Sequence, residues 1–292
     1  MCGVPLQVLA KINRTSSGGT QCERFTDQLA DVITQIERQL GLSFPQAWDD
    51  FVMPGSFKRD TYIILSELYS KTRFGITIIP WQDEVDVERW PMSNAVDAGG
   101  NACGPLCDPN TGNPMFYVDN AKGAEYRATY GFKRQYFQNT HHFFAYLGLA
   151  AAVGPDIARD CDFQRERKNL CEQAQRVCRG EISIQEYETG WYQDGVFDRY
   201  VVDVAASLVE EGVVFDLPNR LRKEMCANNE TNIWTEANQI LNSPRYSFPE
   251  YHPRVIQSRC EELLNSPCPI NTCEPSDLRS TFRQIINQIL GR

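Results

Sequence analysis

Features that mark two common classes of protein are missing from this chain of 292 residues. The longest apolar stretch, residues 143–154, is twelve residues long, whereas about twenty are needed to cross a bilayer. There is no basic excess either, because the net charge is −9 and binding a phosphate backbone requires a basic face. The sequence therefore predicts a soluble, acidic protein with no membrane span and no nucleic-acid partner.

The densest basic group does not alter that conclusion. Arg165, Arg167 and Lys168 lie close together, but acidic residues flank them on both sides. Such mixed charge is typical of the solvated face of a helix. We therefore interpret this group as a surface feature.

Signature motifs of catalysis and of metal binding are absent as well. The chain has no Gly-x-Ser-x-Gly turn, no phosphate-binding glycine loop and no dinucleotide fingerprint. It has no Cys-x2-Cys, the spacing typical of zinc sites, and only three histidines. No local motif therefore decides whether the protein is an enzyme.

Cysteine is plentiful: the chain has eleven. Several lie in loops rich in glycine or proline, which gain stability when they are cross-linked. The candidates for disulfides are Cys103, Cys107, Cys161, Cys171, Cys178, Cys226, Cys260, Cys268 and Cys273. Cys171 and Cys178 are about 10 Å apart along a predicted helix, beyond the reach of about 7 Å that a disulfide allows between Cα atoms. If oxidised, they must have different partners.

The cysteines also bear on the compartment. Disulfides and the two sequons Asn13-Arg14-Thr15 and Asn229-Glu230-Thr231 favour an extracellular glycoprotein. Residues 1–10 lack the basic head and apolar run of a signal peptide, which favours a cytoplasmic protein with reduced thiols. The sequence leaves both locations open, and extracellular is the interpretation we prefer.

Apolar residues recur at helical spacing through most of the chain, which predicts a mainly α fold. Helices are predicted at about 25–40, 60–72, 140–153, 163–179, 194–211, 219–226, 232–241, 253–265 and 276–290. The segment 140–153 is apolar on nearly all sides, as a buried central helix is, so we expect a multi-helix globular domain around it. Ser183 and Glu186 match a capping box. Residues 74–80 predict minor β structure in the N-terminal third.

Composition predicts one division of the chain. Residues 97–114 are rich in glycine, proline and asparagine and contain two cysteines, which indicates an ordered, cross-linked loop. Residues 115–292 are predicted to form the helical domain. Residues 1–96 are predicted to form an α or α+β lobe, either separate or part of the same domain.

The most suggestive pair of residues for catalysis is His141 and His142, at the start of the predicted buried helix. The helix dipole favours a neutral imidazole there, and such a group can act as a general base. Asp119 or Glu125 can supply the carboxylate partner. The alternative is that both rings are simply packed and hydrogen-bonded.

Two further patterns are weaker. Asp108, Asn110 and Asp119 stand at positions one, three and twelve of a calcium loop, although position five is Gly112 and an ordinary turn explains the segment equally well. Carboxylates also cluster around two aromatic residues, an arrangement that suits glycan hydrolysis. They are Glu181, Glu186, Glu188, Asp194 and Asp198, around Trp191 and Tyr192.

Two functions remain open from the sequence. The first is a secreted, disulfide-stabilised helical structural or interaction protein whose partner is an unknown protein or glycan. The second is a hydrolase, with glycans among its candidate substrates, that uses His141 or His142 with an aspartate or glutamate. No cofactor is predicted, apart from the calcium alternative.

Overall fold

The computed structural model describes the C-terminal half of the chain almost continuously. It describes residues 134–214, 216–226 and 233–273, together with 22, 23, 26, 27, 29, 30, 33, 34, 59, 61–63, 65 and 66. Of residues 134–142, 233 and 234 only the backbone is described.

These residues form helices joined by short turns. The helices are α1 (Arg134–Val153), α2 (Pro155–Cys178), α3 (Ile184–Tyr187), α4 (Gln193–Glu211), α5 (Leu217–Met225), α6 (Ile233–Leu241), α7 (Pro253–Ile256) and α8 (Cys260–Asn265). A π-helical turn (Glu188–Tyr192) joins α3 to α4, and 3-10 turns (Pro249–Tyr251 and Gln257–Arg259) flank α7. No strand occurs among the described residues, so the mainly α prediction is confirmed. The predicted strand at 74–80 and the predicted helix at 276–290 lie outside them.

Helix α1 is the central helix of the bundle. Every residue from Phe143 to Ala151 is buried, and α1 packs against both α2 and α4. A helix that is apolar around most of its circumference needs such neighbours on several sides to remove it from water. The buried helix is therefore confirmed, although it begins at Arg134, before the predicted start. No helix in the described part of the chain is long and apolar enough to cross a membrane.

The reversal between α1 and α2 is made by two residues with special backbone properties. Gly154 has a φ of 109°, a conformation that glycine adopts without a steric penalty. Pro155 is the first residue of α2, where its fixed φ suits the helix and its missing N–H costs nothing. Helix α2 thus begins well before the predicted residue 163. The polar residues of its first two turns hide the apolar periodicity.

Helix α2 presents one stripe to the core. Its buried residues include a row spaced by four positions: Ala158, Asp162, Glu166, Leu170 and Ala174. Residues four apart lie above one another on a helix. Two carboxyl groups therefore stand in line with apolar side chains and are carried into the interior.

The ends of α3 and α4 follow from sequence signals that the structure confirms. Ser183 Oγ accepts a hydrogen bond from Glu186 N at 3.1 Å, and Glu186 Oε2 accepts one from Ser183 N at 2.8 Å, which is a capping box. Helix α4 ends at Gly212, with a φ of 65°. Val213 N then donates to Leu208 O at 3.1 Å, as in a Schellman motif.

Described residues from the N-terminal third contact the ends of two bundle helices. The Tyr62 hydroxyl lies 3.0 Å from Leu208 O and 2.5 Å from Val213 O, at the end of α4. Arg59 Nε donates to Ala151 O at 3.3 Å, near the end of α1. Arg59 thus supplies a partner for a carbonyl in the last turn of α1, where carbonyls lack partners inside the helix, and Tyr62 adds a second contact at the end of α4.

A second contact with the N-terminal third is covalent. Cys22 forms a disulfide with Cys226, which follows α5 directly. Beside it, Arg222 Nε donates to Thr26 Oγ1 at 3.1 Å, and Arg222 Nη2 is paired with Asp27. The described residues between 22 and 34 are helical, so this disulfide joins a helical segment to α5.

Candidate functional site

Four charged side chains meet in the core between α2 and α4. We call Asp162, Arg165, Glu166 and Asp198 the core charge cluster. The side chains of its three acids are only 1%, 3% and 2% exposed, respectively, and that of Arg165 is 19% exposed. Charged groups are almost never buried to this degree unless they are paired.

The guanidinium of Arg165 is the centre of the cluster. Its Nη2 atom lies 3.2 Å from Asp162 Oδ1, 2.9 Å from Asp198 Oδ2 and 2.5 Å from Glu166 Oε1. One such nitrogen carries two hydrogens, and these are donated to the two aspartates. Glu166 Oε1 is the third carboxyl oxygen beside the same nitrogen. The ring of Tyr146, from α1, lies 6.0 Å from Arg165 Cζ and closes one side.

The charges of the cluster do not balance if every group ionises, because one cation faces three carboxylates. Burial raises the pKa of Asp162 to about 8 and that of Glu166 to about 7, although Arg165 opposes both rises. Burial also raises the pKa of the Tyr146 hydroxyl well above its usual range. Asp162 and Glu166 therefore hold protons at pH values at which exposed carboxyls, with pKa values near 4, are ionised.

One atom of the cluster gives independent support for bound protons. Asp162 Oδ2 is buried and has no hydrogen-bond partner among the described residues. An ionised carboxylate oxygen in that position would lose its hydration without compensation. Protonation of Asp162 removes the charge, while Oδ1 still accepts from Arg165.

Gly195 allows Glu166 to lie close to the backbone of α4. A Cβ at Gly195 would be 3.0 Å from Glu166 Oε2 and 3.5 Å from Leu170 Cδ1. Because Arg165 holds the buried carboxyl in place, Gly195→Ala is expected to lower the free energy of unfolding by about 1–3 kcal/mol, as overpacking does. Denaturant titration measures the loss.

Gly190, in the π-helical turn, is the matched control for that substitution. Among the described atoms, none outside its own helix lies within 4 Å of where its Cβ would be. Gly190→Ala should leave the stability unchanged or raise it, since alanine has the higher helix propensity. Equal losses of unfolding free energy in the two variants would show that the contact of Gly195 with Glu166 does not cause the loss.

A second feature of the structure lies along α2. Residues 260–273, which we call the C-terminal strap, are joined to α2 by the disulfides Cys161–Cys273, Cys171–Cys268 and Cys178–Cys260. The pairs are nested, so the strap runs antiparallel to α2. Cys171 and Cys178 have different partners, in agreement with the separation along the helix.

Polar contacts fill the intervals between these disulfides. Gln175 Nε2 donates to Leu263 O at 2.8 Å and to Ser266 O at 3.1 Å. Gln164 Oε1 accepts from Thr272 N at 3.0 Å and from Thr272 Oγ1 at 2.6 Å. The strap is therefore held along its whole length, and not only at its cysteines.

The other residues predicted from the sequence are placed only in part. His141 and His142 belong to the backbone of α1, but their side chains lie outside the described part. The same holds for all of Asp108, Asn110, Asp119 and Glu125, and for Cys103 and Cys107. The catalytic pair, the calcium loop and the loop at 97–114 thus remain predictions from sequence.

Three of the five acids proposed for glycan hydrolysis, Glu181, Glu186 and Asp198, lie in separate interactions. Glu181 forms surface ion pairs with Arg176 and Arg179, Glu186 belongs to the capping box of α3, and Asp198 is in the core charge cluster. The interpretation of Arg165 as part of a solvated helix face is wrong, because that side chain turns inward to the same cluster.

Comparisons with known proteins supply no relative. No protein-family model matches the chain, and neither the curated proteins nor the solved structures contain a match. In the described part of the chain, no group of histidine, cysteine and acidic side chains is arranged to hold a metal ion. In the core charge cluster it is the Arg165 guanidinium that the carboxyls face.

Proposed function

We propose that this chain is a secreted, disulfide-stabilised helical protein with a structural or interaction role, and that its partner is a protein or a glycan. The observation that carries the proposal is the set of four disulfides across the described residues. Disulfides persist in oxidising compartments and are rare where glutathione and thioredoxin keep thiols reduced. The two sequons, at Asn13 and Asn229, fit the same compartment.

The arrangement of the disulfides supports a rigid scaffold. Three of them fix the C-terminal strap to α2, and the fourth joins Cys226, directly after α5, to Cys22, which lies 204 positions earlier. Cross-links over such distances restrict the unfolded chain strongly. A scaffold of this kind keeps its surface in one shape outside the cell, which suits binding to a partner.

A count of free thiols in the native protein tests the proposal. Eight of the eleven cysteines form the disulfides of the described residues, and the other three lie outside those residues. Alkylation of the denatured but unreduced protein is expected to label at most three cysteines, and alkylation after reduction all eleven. Mass spectrometry of the peptides should recover the four pairs.

The free thiols must be blocked with an alkylating agent as soon as the protein leaves the cells that produce it, so that air oxidation adds no disulfides. A loss of mass on treatment with an N-glycosidase, absent from an Asn13→Gln/Asn229→Gln variant, would support passage through the secretory route. Labelling of all eleven cysteines before reduction, in protein found inside the cells, would overturn the proposal.

A further inference from the structure

The contact between α2 and α4 contains several buried ionisable side chains. The groups that face one another are Tyr146 from α1, Asp162, Arg165, Glu166 and Asn169 from α2, and Asp198 and Arg199 from α4. On the 3-10 turn that packs against α2, Glu250 is paired with Arg167 instead, at 2.8 Å. Three carboxyls within 3.2 Å of one nitrogen are necessarily close to one another.

We propose that the core charge cluster is a proton-dependent lock between α2 and α4, which holds the two helices most firmly at mildly acidic pH and weakens as the pH rises past neutrality.

The physical reason is the net charge of the core charge cluster, which is buried. With two protons bound, the cluster contains the Arg165 cation and one carboxylate, so it is neutral. Each proton lost leaves one more negative charge between α2 and α4 that Arg165, the cation in contact with the carboxyls, cannot balance. Desolvation and repulsion between like charges both disfavour that state.

The direction of the pH dependence follows from the difference between the carboxyl pKa values of the unfolded and folded states. In the unfolded chain these carboxyls have pKa values near 4, whereas in the folded protein those of Asp162 and Glu166 are raised. Above pH 4 the folded state therefore binds more protons than the unfolded state, and stability falls as pH rises until the folded acids have also ionised. Carboxylates in exposed ion pairs have the opposite effect.

Asp162→Asn and Glu166→Gln test the lock, because each amide keeps the oxygen that faces Arg165 and needs no proton. The unfolding constant of the wild-type protein, measured with denaturant from pH 5 to pH 9, is expected to rise by up to about tenfold per pH unit for each proton released. In each variant the unfolding constant should rise less steeply with pH, because the replaced carboxyl no longer releases a proton. Both should therefore gain stability relative to the wild type at pH 9.

Glu262→Gln is the matched control. Glu262 is exposed, and its hydrogen bond with Arg259 lowers its pKa, so it is ionised across the whole range. This variant should keep the wild-type slope. The three histidines and any free thiols are common to all four proteins, so their titration cancels in the comparison.

A measurement on the wild-type protein alone covers the case in which a variant fails to fold. Calorimetry in buffers of different ionisation enthalpy gives the number of protons released on unfolding at pH 7, and about one is expected. Infrared spectroscopy of the folded protein should show a protonated carboxyl at the same pH. The proposal is overturned if unfolding at pH 7 releases no protons, if the infrared spectrum shows no such band, or if the amide variants keep the pH slope of the wild type.

Discussion

Replacing Arg165 with methionine is expected to lower the free energy of unfolding at pH 8 by about 3–5 kcal/mol, the loss typical when one partner of a buried ion pair is removed. Methionine fills a similar length but supplies neither the charge nor the hydrogen bonds. Asp162, Glu166 and Asp198 would then lose their cation in a place where their side chains are at most 3% exposed. Denaturant titration measures the change.

The loss should depend on pH in a way that a simple packing defect does not. At pH 5 Asp162 and Glu166 are more fully protonated and need the cation less, so Arg165→Met should be less harmful there. Arg176→Met is the matched control on the same helix, because Arg176 pairs with Glu181 at the surface, where water screens the interaction. Equal losses in the two variants, or a loss that does not change with pH, would contradict the prediction.

Removing the disulfide between Cys22 and Cys226 is expected to cost roughly 5 kcal/mol, from the entropy that a loop of that length returns to the unfolded chain. The two cysteines are separated by 204 positions, and no other disulfide of the described residues closes this loop. Unfolding of the Cys22→Ala/Cys226→Ala variant with denaturant, under non-reducing conditions, gives the value.

A disulfide from the C-terminal strap provides the comparison. The pairs of Cys161, Cys171 and Cys178 are nested, so when one is removed its neighbours still hold the strap to α2. What opens is a small loop of about 15 residues, worth about 3 kcal/mol. Cys171→Ala/Cys268→Ala should therefore cost less than Cys22→Ala/Cys226→Ala, and the reverse order would contradict the loop argument.

The helices were predictable where local signals were strong. Helix α4 is bounded by Gly212 at its end and carries an apolar face along its length, and its predicted and observed limits differ by a single residue. Helix α1 was recognisable by its all-round apolar composition. The segment 253–265, predicted as one helix, is divided by the 3-10 turn Gln257–Arg259. There the Ser258 hydroxyl donates a hydrogen bond to the Val255 carbonyl, a local contact that competes with the backbone hydrogen bonds of an α-helix.

The core charge cluster was harder to foresee, because its members are ordinary surface residues until their partners are known. One signal was present: Asp162 and Glu166 continue the row of Ala158, Leu170 and Ala174 at intervals of four. Asp198 lies on another helix, and nothing local associates it with Arg165. Pairing between distant cysteines is equally a property of the tertiary fold. The sequence therefore indicated which cysteines could form disulfides and excluded the pair Cys171–Cys178, but it did not show which cysteines are paired.

The nested disulfides of the C-terminal strap also determine what a protease can release. Ile270 is the most exposed large apolar residue of the described part, with 82% of its surface accessible, and it lies between Cys268 and Cys273. A cut at Ile270 leaves Cys268 bound to Cys171 on one side and Cys273 bound to Cys161 on the other. The two pieces would stay attached to α2, so a cut beside Ile270 would release no fragment from the molecule.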